Sequence, residues 1–197
     1  LEKLAGYLKT IPDEFKRKYL SLLFYEGEVQ RYLAYYEKAK NCYLELIEHA
    51  EMAGTSFLTA KAYEGLAKIY IDTIQPVVAE RYLLKAIKLL EKYKGKDDVE
   101  TIEIYGLMAE NLINSGQAKK AEKWFKKLAG LQKIMARNNL DARMFLRTGQ
   151  LEKAKQLLIK RLQDQDHNRT LPQTHRETEI ILAYVELCLG NGQEAKR

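Results

Sequence analysis

The sequence predicts an all-α fold, an array of about five antiparallel helix pairs, on three observations. An order of small and large apolar residues returns at a near-regular interval, turn-forming residues fall between the helical stretches, and the composition suits packed helices. Hydrophobic residues make up 46% of the 197 and charged residues 30%, with only 3 Pro, which argues for a folded helical chain over a disordered one.

The repeat is clearest from Leu66-Ala67-Lys68-Ile69-Tyr70, which precedes a break at Asp72 to Pro76 and then Ala79, Leu83 and Ala86 at helical spacing. The same order of sizes recurs as Met108-Ala109, Leu112, Gly116, Ala121, Phe125 and Leu128. It follows again as Ala142, Phe145, Gly149, Ala154 and Leu158, and once more as Leu182-Ala183, Gly190 and Ala195. The second-helix markers Ala39, Ala79, Ala121, Ala154 and Ala195 stand 40, 42, 33 and 41 residues apart. Small residues at these positions have a physical reason: antiparallel helices approach closely only where a small side chain faces the partner, with larger ones filling the groove a turn away. Ala67, Ala79 and Ala86 are the expected close-contact positions.

Turn chemistry agrees with the helix pattern. Gly116, Gly149 and Gly190 each end a first helix, where a positive φ is favoured. In the second unit Asp72-Thr73-Ile74-Gln75-Pro76 makes the same break, with Pro76 suited to the first turn of the next helix. Thr174-His175-Arg176-Glu177 reads as a capping box opening the last first-helix, and the polar stretch from Gln163 to Gln173 as the longest loop. Residues 32–51 read as one long helix ahead of Gly54, and the first forty or so residues fit the repeat least well.

This helix-pair pattern resembles the tetratricopeptide repeat (TPR), which implies a right-handed superhelix of antiparallel helix pairs in a single domain over 1–197. Its first unit is divergent and its last truncated. The sequence stops at Ala195-Lys196-Arg197, where a second helix is due, and starts without Met, so it is expected to be an excerpt of a longer protein.

Catalytic and metal chemistry are not expected. His49, His167 and His175 fall in different elements and none pairs with a His or Cys at metal-ligand spacing. There is no Gly-x-x-x-x-Gly-Lys phosphate loop and no Gly-x-Ser-x-Gly elbow. The glutamates read as solvated helix surface, and the 13 Tyr as inter-helix packing. Cofactors are expected to be none, and the chain is not expected to be an enzyme. No apolar run approaches the ~18 residues that span a bilayer, and Leu1-Glu2-Lys3-Leu4 lacks the features of a secretory signal, so no membrane partner is expected. Cys42 and Cys188 read as free thiols, which favours a reducing, cytoplasmic location. Net charge is +6 and the pI about 9.1, which raises direct nucleic-acid binding as a further class. Basic and acidic residues alternate, however, as in Glu91-Lys92-Tyr93-Lys94-Gly95-Lys96-Asp97-Asp98, the pattern of a solvated face. Direct DNA contact by this chain is therefore not expected.

In a TPR superhelix the first helices line the concave surface, and residues one turn apart on that face meet the ligand. The resemblance selects Lys61, Glu64, Lys68 and Asp72 in the second unit, and Glu103, Glu110 and Asn114 in the third. It selects Asn139, Arg143 and Arg147 in the fourth, and Ile180 and Tyr184 in the fifth. The face is polar and mixed in sign, unlike one that clamps a terminal carboxylate with Lys and Asn. The expected partner in the groove is a protein, a peptide or a small-molecule effector.

A narrower likeness concerns Ile71-Asp72-Thr73-Ile74-Gln75-Pro76-Val77-Val78-Ala79-Glu80-Arg81-Tyr82-Leu83 and Thr174-His175-Arg176-Glu177-Thr178 with Leu182 and Gly190. Over roughly residues 56–197 the chain resembles the sensor arm of large ATP-dependent LuxR-type transcription activators of the maltose- or glucitol-operon kind. That resemblance implies a regulatory arm that binds an effector or partner while other domains bind nucleotide and DNA. The alternative is a peptide-binding TPR adaptor or a peptide-pheromone receptor.

Overall fold

A computed structural model describes residues 1–128, 139–168 and 172–190, and among them the only regular secondary structure is helical. The chain divides into two compact units, residues 1–111 and 112–197.

The first unit begins with α1 (Glu2–Thr10) and the short α2 (Asp13–Lys18). It continues through α3 (Leu20–Tyr32), α4 (Tyr36–Met52), α5 (Ser56–Asp72) and α6 (Pro76–Tyr93) into α7 (Val99–Asn114), within which the division falls. Consecutive helices α3 to α6 pack against one another. Because only three residues join each pair, neighbours run antiparallel. The first and third of the series, α3 and α5, also touch.

The core explains the spacing of small residues. Leu23, Ala39, Tyr43, Leu46, Ala50, Ala62, Leu66 and Ile69 form one buried cluster spanning α3, α4 and α5. Ala67, Ala79 and Ala86 are fully buried, as the close-contact reading requires, and so are Leu66 and Leu83 beside them. Burying each such leucine contributes about 1.5–3 kcal/mol. Ahead of the hairpins, Ala5 and Leu8 of α1 cover Val29 of α3. Asn111 of α7 is buried and donates from Nδ2 to the Pro76 carbonyl at 3.0 Å, tying α7 to the start of α6.

In the second unit α8 (Ala118–Lys127) buries Ala118, Ala121 and Trp124. The helices α9 (Leu140–Arg147), α10 (Leu151–Asn168) and α11 (Pro172–Cys188) then pack in chain order around Ala142, Ala154, Leu158 and Val185. The marker alanines Ala39, Ala79, Ala121 and Ala154 are all fully buried; Ala195 lies outside the described residues.

One turn closes the hairpins in both units. At 73–75 the amide of Gln75 donates to the Tyr70 carbonyl at 2.7 Å and that of Ile74 to Ile71 at 3.0 Å. Gln117 to Leu112 (2.7 Å) with Gly116 to Ile113 (3.0 Å), and Gln150 to Phe145 (2.8 Å) with Gly149 to Leu146 (3.2 Å), repeat it. This is the Schellman arrangement, which satisfies helix-end carbonyls and needs a left-handed residue at its centre. A side-chain bond fixes it further: Gln75, Gln117 and Gln150 each donate from Nε2 to the hydroxyl two residues back, at 3.2, 3.0 and 3.0 Å.

Three expectations are corrected. The stretch 32–51 is not one helix, because Ala34 takes φ 59° and the same turn separates α3 from α4, so this first pair is regular. Gln163 to Asn168 are helical, part of α10, so no eleven-residue loop exists and only 169–171 lie outside the described residues there. The last first-helix starts at Pro172, which places Thr174 inside it and not at its cap. Proline at the first position is favoured because its missing N–H would have no intrahelical partner.

Candidate partner-binding face

On α5, Lys61, Glu64 and Lys68 fall on one stripe, and the two amines grip the carboxylate between them. Lys61 Nζ lies 2.5 Å from Glu64 Oε2 and Lys68 Nζ 2.7 Å from Oε1. All three are half-buried. Burial alone works to raise the Glu64 pKa, but the charges and hydrogen bonds of Lys68 and Lys61 outweigh it and hold the carboxyl below its usual value. Burial likewise opposes the Lys68 ammonium, and Glu64 overcomes it, so this amine is held above its ordinary range.

One turn further along, Asp72 takes a partner from α3. Arg31 Nη1 donates to Asp72 Oδ2 at 2.8 Å, its Nη2 lies 3.7 Å from Glu28 Oε2, and Glu28 Oε1 accepts the Tyr43 hydroxyl at 2.5 Å. The chain Tyr43–Glu28–Arg31–Asp72 thus joins α4, α3 and α5. Burial pulls the Arg31 pKa down, and the Asp72 hydrogen bond and the Glu28 charge more than restore it. Burial is also the first cause that pushes the Tyr43 hydroxyl up, with Glu28 beside it adding to the shift, so it stays a donor. The same device recurs where Tyr105 of α7 donates to Glu91 of α6 at 2.5 Å.

Glu28, Arg31 and Tyr43 escape the sequence reading because α3 and α4 look divergent there. A signal is present: Glu28 and Arg31 are three apart on a helix, the spacing of a side-chain pair. Chemically the face is internally compensated. Removing one member would leave its half-buried partner uncompensated, whereas replacing a whole pair by apolar residues is far better tolerated.

The other sequence-selected residues are placed as follows. Glu103 is exposed and Glu110 half-buried on α7. In the second unit Arg143 donates to the side-chain oxygen of Asn114, bringing two selected residues together, and Arg147 is exposed. Ile180 and Tyr184 are exposed one turn apart on α11. Asn139 is a correction: it is fully buried, with φ 47°, ahead of α9. Its Nδ2 donates to Thr178 Oγ1 at 3.1 Å and its Oδ1 accepts from Arg161 at 3.1 Å, and Arg161 also reaches Asp141 at 2.5 Å. Those bonds join α9, α10 and α11, so Asn139 acts inside the fold and not on a face.

Among the described residues no group of three or more His, Cys, Asp and Glu could hold a metal ion. No described helix is long and apolar enough to cross a membrane. Cys42 is half-buried and Cys188 exposed, both free.

No protein-family model and no curated protein matches this chain. Solved structures do. A "kinesin light chain nearly identical TPR-like repeats" structure from Podosopora anserina superposes with a TM-score of 0.74 at 16% identity, over 92% of this chain and 91% of that one. BtubC (BKLC) from P. vanneervenii gives 0.73 at 16% identity, over 98% of this chain and 82% of the other. With the buried alanines and the shared turn, these likenesses give the chain a TPR-like repeat fold.

Proposed function

We propose that the chain is a non-catalytic, partner-binding repeat domain that takes an extended protein or peptide segment across the α3/α5 face. The observation that carries this reading is the pair of charge networks on this face, Glu28–Arg31–Asp72 and Lys61–Glu64–Lys68, half-buried apart from the exposed Asp72. It holds polar groups in fixed positions at the surface while leaving amine protons and carboxylate lone pairs able to take further hydrogen bonds. Such a preorganised, charge-balanced surface suits a polar peptide backbone better than a single terminal carboxylate. Glu103 and Glu110 are proposed as further partner contacts of the first unit, and Asn114, Arg143, Arg147, Ile180 and Tyr184 as partner contacts of the second unit by itself.

The test is to sequence peptides that copurify with the chain, resynthesise them, and titrate them calorimetrically against wild type and the Arg31→Met/Asp72→Leu pair. That pair removes the closer ion pair of Arg31, at 2.8 Å, as a whole, and Glu28 keeps the hydrogen bond from the Tyr43 hydroxyl, so the fold is expected to persist. Affinity is expected to fall about tenfold. Equal binding to both proteins would move the site elsewhere.

The narrower form is a regulatory arm of a bacterial LuxR-type activator, supported by the likeness of residues 71–83 to helix–turn–helix units of that family. Effector binding would then shift the population of docked arms in the full-length protein. Calorimetric titration with maltose-type and glucitol-type sugars tests it, and no heat with any of them would count against that form.

A further inference from the structure

The opposite side of α5 carries a different kind of surface. Residues Ser56, Thr59 and Tyr63 lie roughly half a helical turn around the axis from the Lys61, Glu64 and Lys68 stripe. There the end of α4, the start of α5 and the last turns of α6 border a cavity of about 430 Å³. Lys85, Lys88 and Lys92 of α6 line it, three and four residues apart and so on one face of that helix.

These lysines differ from those of the α3/α5 face in having no ion-pair partner. Among the described residues none of the three has a carboxylate within ion-pair distance, whereas Lys16, Lys40, Lys61, Lys68, Lys94 and Lys155 all have one. The acid that lines the cavity, Glu51, accepts instead from the Tyr63 hydroxyl at 3.4 Å. Aromatic rings hold the first lysine in place: Lys85 Nζ stands 5.0 Å from the Tyr63 ring centroid and 5.5 Å from that of Tyr82. Beside the cavity the Ser56 hydrogen bond, and after it Lys92, hold the Tyr93 hydroxyl pKa below its ordinary value. α5 opens at the same cavity, and the positive end of its dipole adds to the field.

We propose that this cavity is a second binding site, taking the clustered carboxylates of an acidic peptide segment between Lys85, Lys88 and Lys92. The site is separate from the α3/α5 face and does not depend on it. Charge complementarity selects the occupant: three clustered amines with no carboxylate at ion-pair distance, Lys85 among them over the Tyr63 and Tyr82 rings, favour several closely spaced anions over an apolar or cationic segment. Affinity at such a site is sensitive to ionic strength, since exposed charges are screened within about 10 Å at 0.1 M salt.

The experiment is fluorescence anisotropy of a labelled oligoglutamate peptide titrated with the full 197-residue chain at low salt, beside an oligoglutamine control. Oligoglutamate is expected to bind and oligoglutamine not. K85Q/K88Q/K92Q is expected to weaken binding about tenfold, and K119Q/K120Q/K126Q, which removes the same charge from exposed α8 positions, by no more than about twofold. K88E provides a single-site check, since Lys88 has no ring contact to disturb, and it is expected to weaken binding as well. No binding of oligoglutamate, equal weakening by the two triple variants, or wild-type binding by K88E would each overturn the proposal.

Discussion

The ring of Tyr43 fills the space that a side chain on Gly65 would need. The other flank of the ring meets Gly27, where a Cβ would stand 2.6 Å from Tyr43 Cε1. One fully buried tyrosine of α4 is thus held between glycines of α3 and α5. This packing lets the first helices approach and delivers the Tyr43 hydroxyl to Glu28.

Gly65→Ala is therefore expected to destabilise the chain by about 1–3 kcal/mol through overpacking, even though alanine is favoured over glycine inside a helix by about 1 kcal/mol. Urea denaturation measures the change, and Tyr43→Leu in the same chain should recover part of it. A neutral or stabilising Gly65→Ala would refute the packing argument.

Ile74 takes φ 58° at the centre of the α5–α6 turn while its side chain is 87% exposed. A β-branched residue is strained there and little packing offsets the strain. Ile74→Gly is expected to raise stability by about 1 kcal/mol, read as a higher urea midpoint with an unchanged slope.

Acid should loosen the α5 face. The Glu64 pKa is lower in the folded chain than in the unfolded one, so its contribution is complete above the unfolded carboxylate range and is lost as pH falls through the folded value. The melting temperature is expected to drop between about pH 5 and about pH 3. Glu64→Gln should melt lower than wild type at neutral pH and close to it at the acid end. Parallel curves for the two proteins would remove Glu64 from the acid response. Lys68 shifts the opposite way, upward, so its share is present below the ordinary lysine range and fades only in strong alkali.

The two thiols should react at different rates. Burial, with the Glu26 charge adding, pushes the Cys42 thiol up to about 12, while Cys188 is exposed on α11. With a disulfide reagent near pH 8 in the native state, one thiol per chain is expected to react fast. Cys188→Ser should abolish that phase and Cys42→Ser leave it unchanged.

Side-chain size is the most legible property of the chain. Ala39, Ala79, Ala121 and Ala154 mark close approach by their spacing alone, since nothing larger than a methyl group fits between helices so near one another. Gly116 and Gly149 mark turns for the same reason of geometry. Ala34 does not, because nothing in an alanine announces a left-handed backbone, and α3 and α4 merge in the sequence. Polar residues after Gln163 resemble a loop because helix formers without an apolar stripe carry no periodicity. At the face, the stripe of Lys61, Glu64 and Lys68 follows from helical spacing alone. The pairing of Arg31 with Asp72 depends on which helices become neighbours across forty residues or so, and the burial of Asn139 on contacts from two further helices; neither is written in local pattern.

The corner that joins Tyr70 to Gln75, and again Phe145 to Gln150, is made wholly by groups within six residues of one another. Its angle is consequently portable. A helical pair copied or exchanged by recombination brings its own bend along, so a polymer of this kind can lengthen or shorten in whole modules with no new corner to invent.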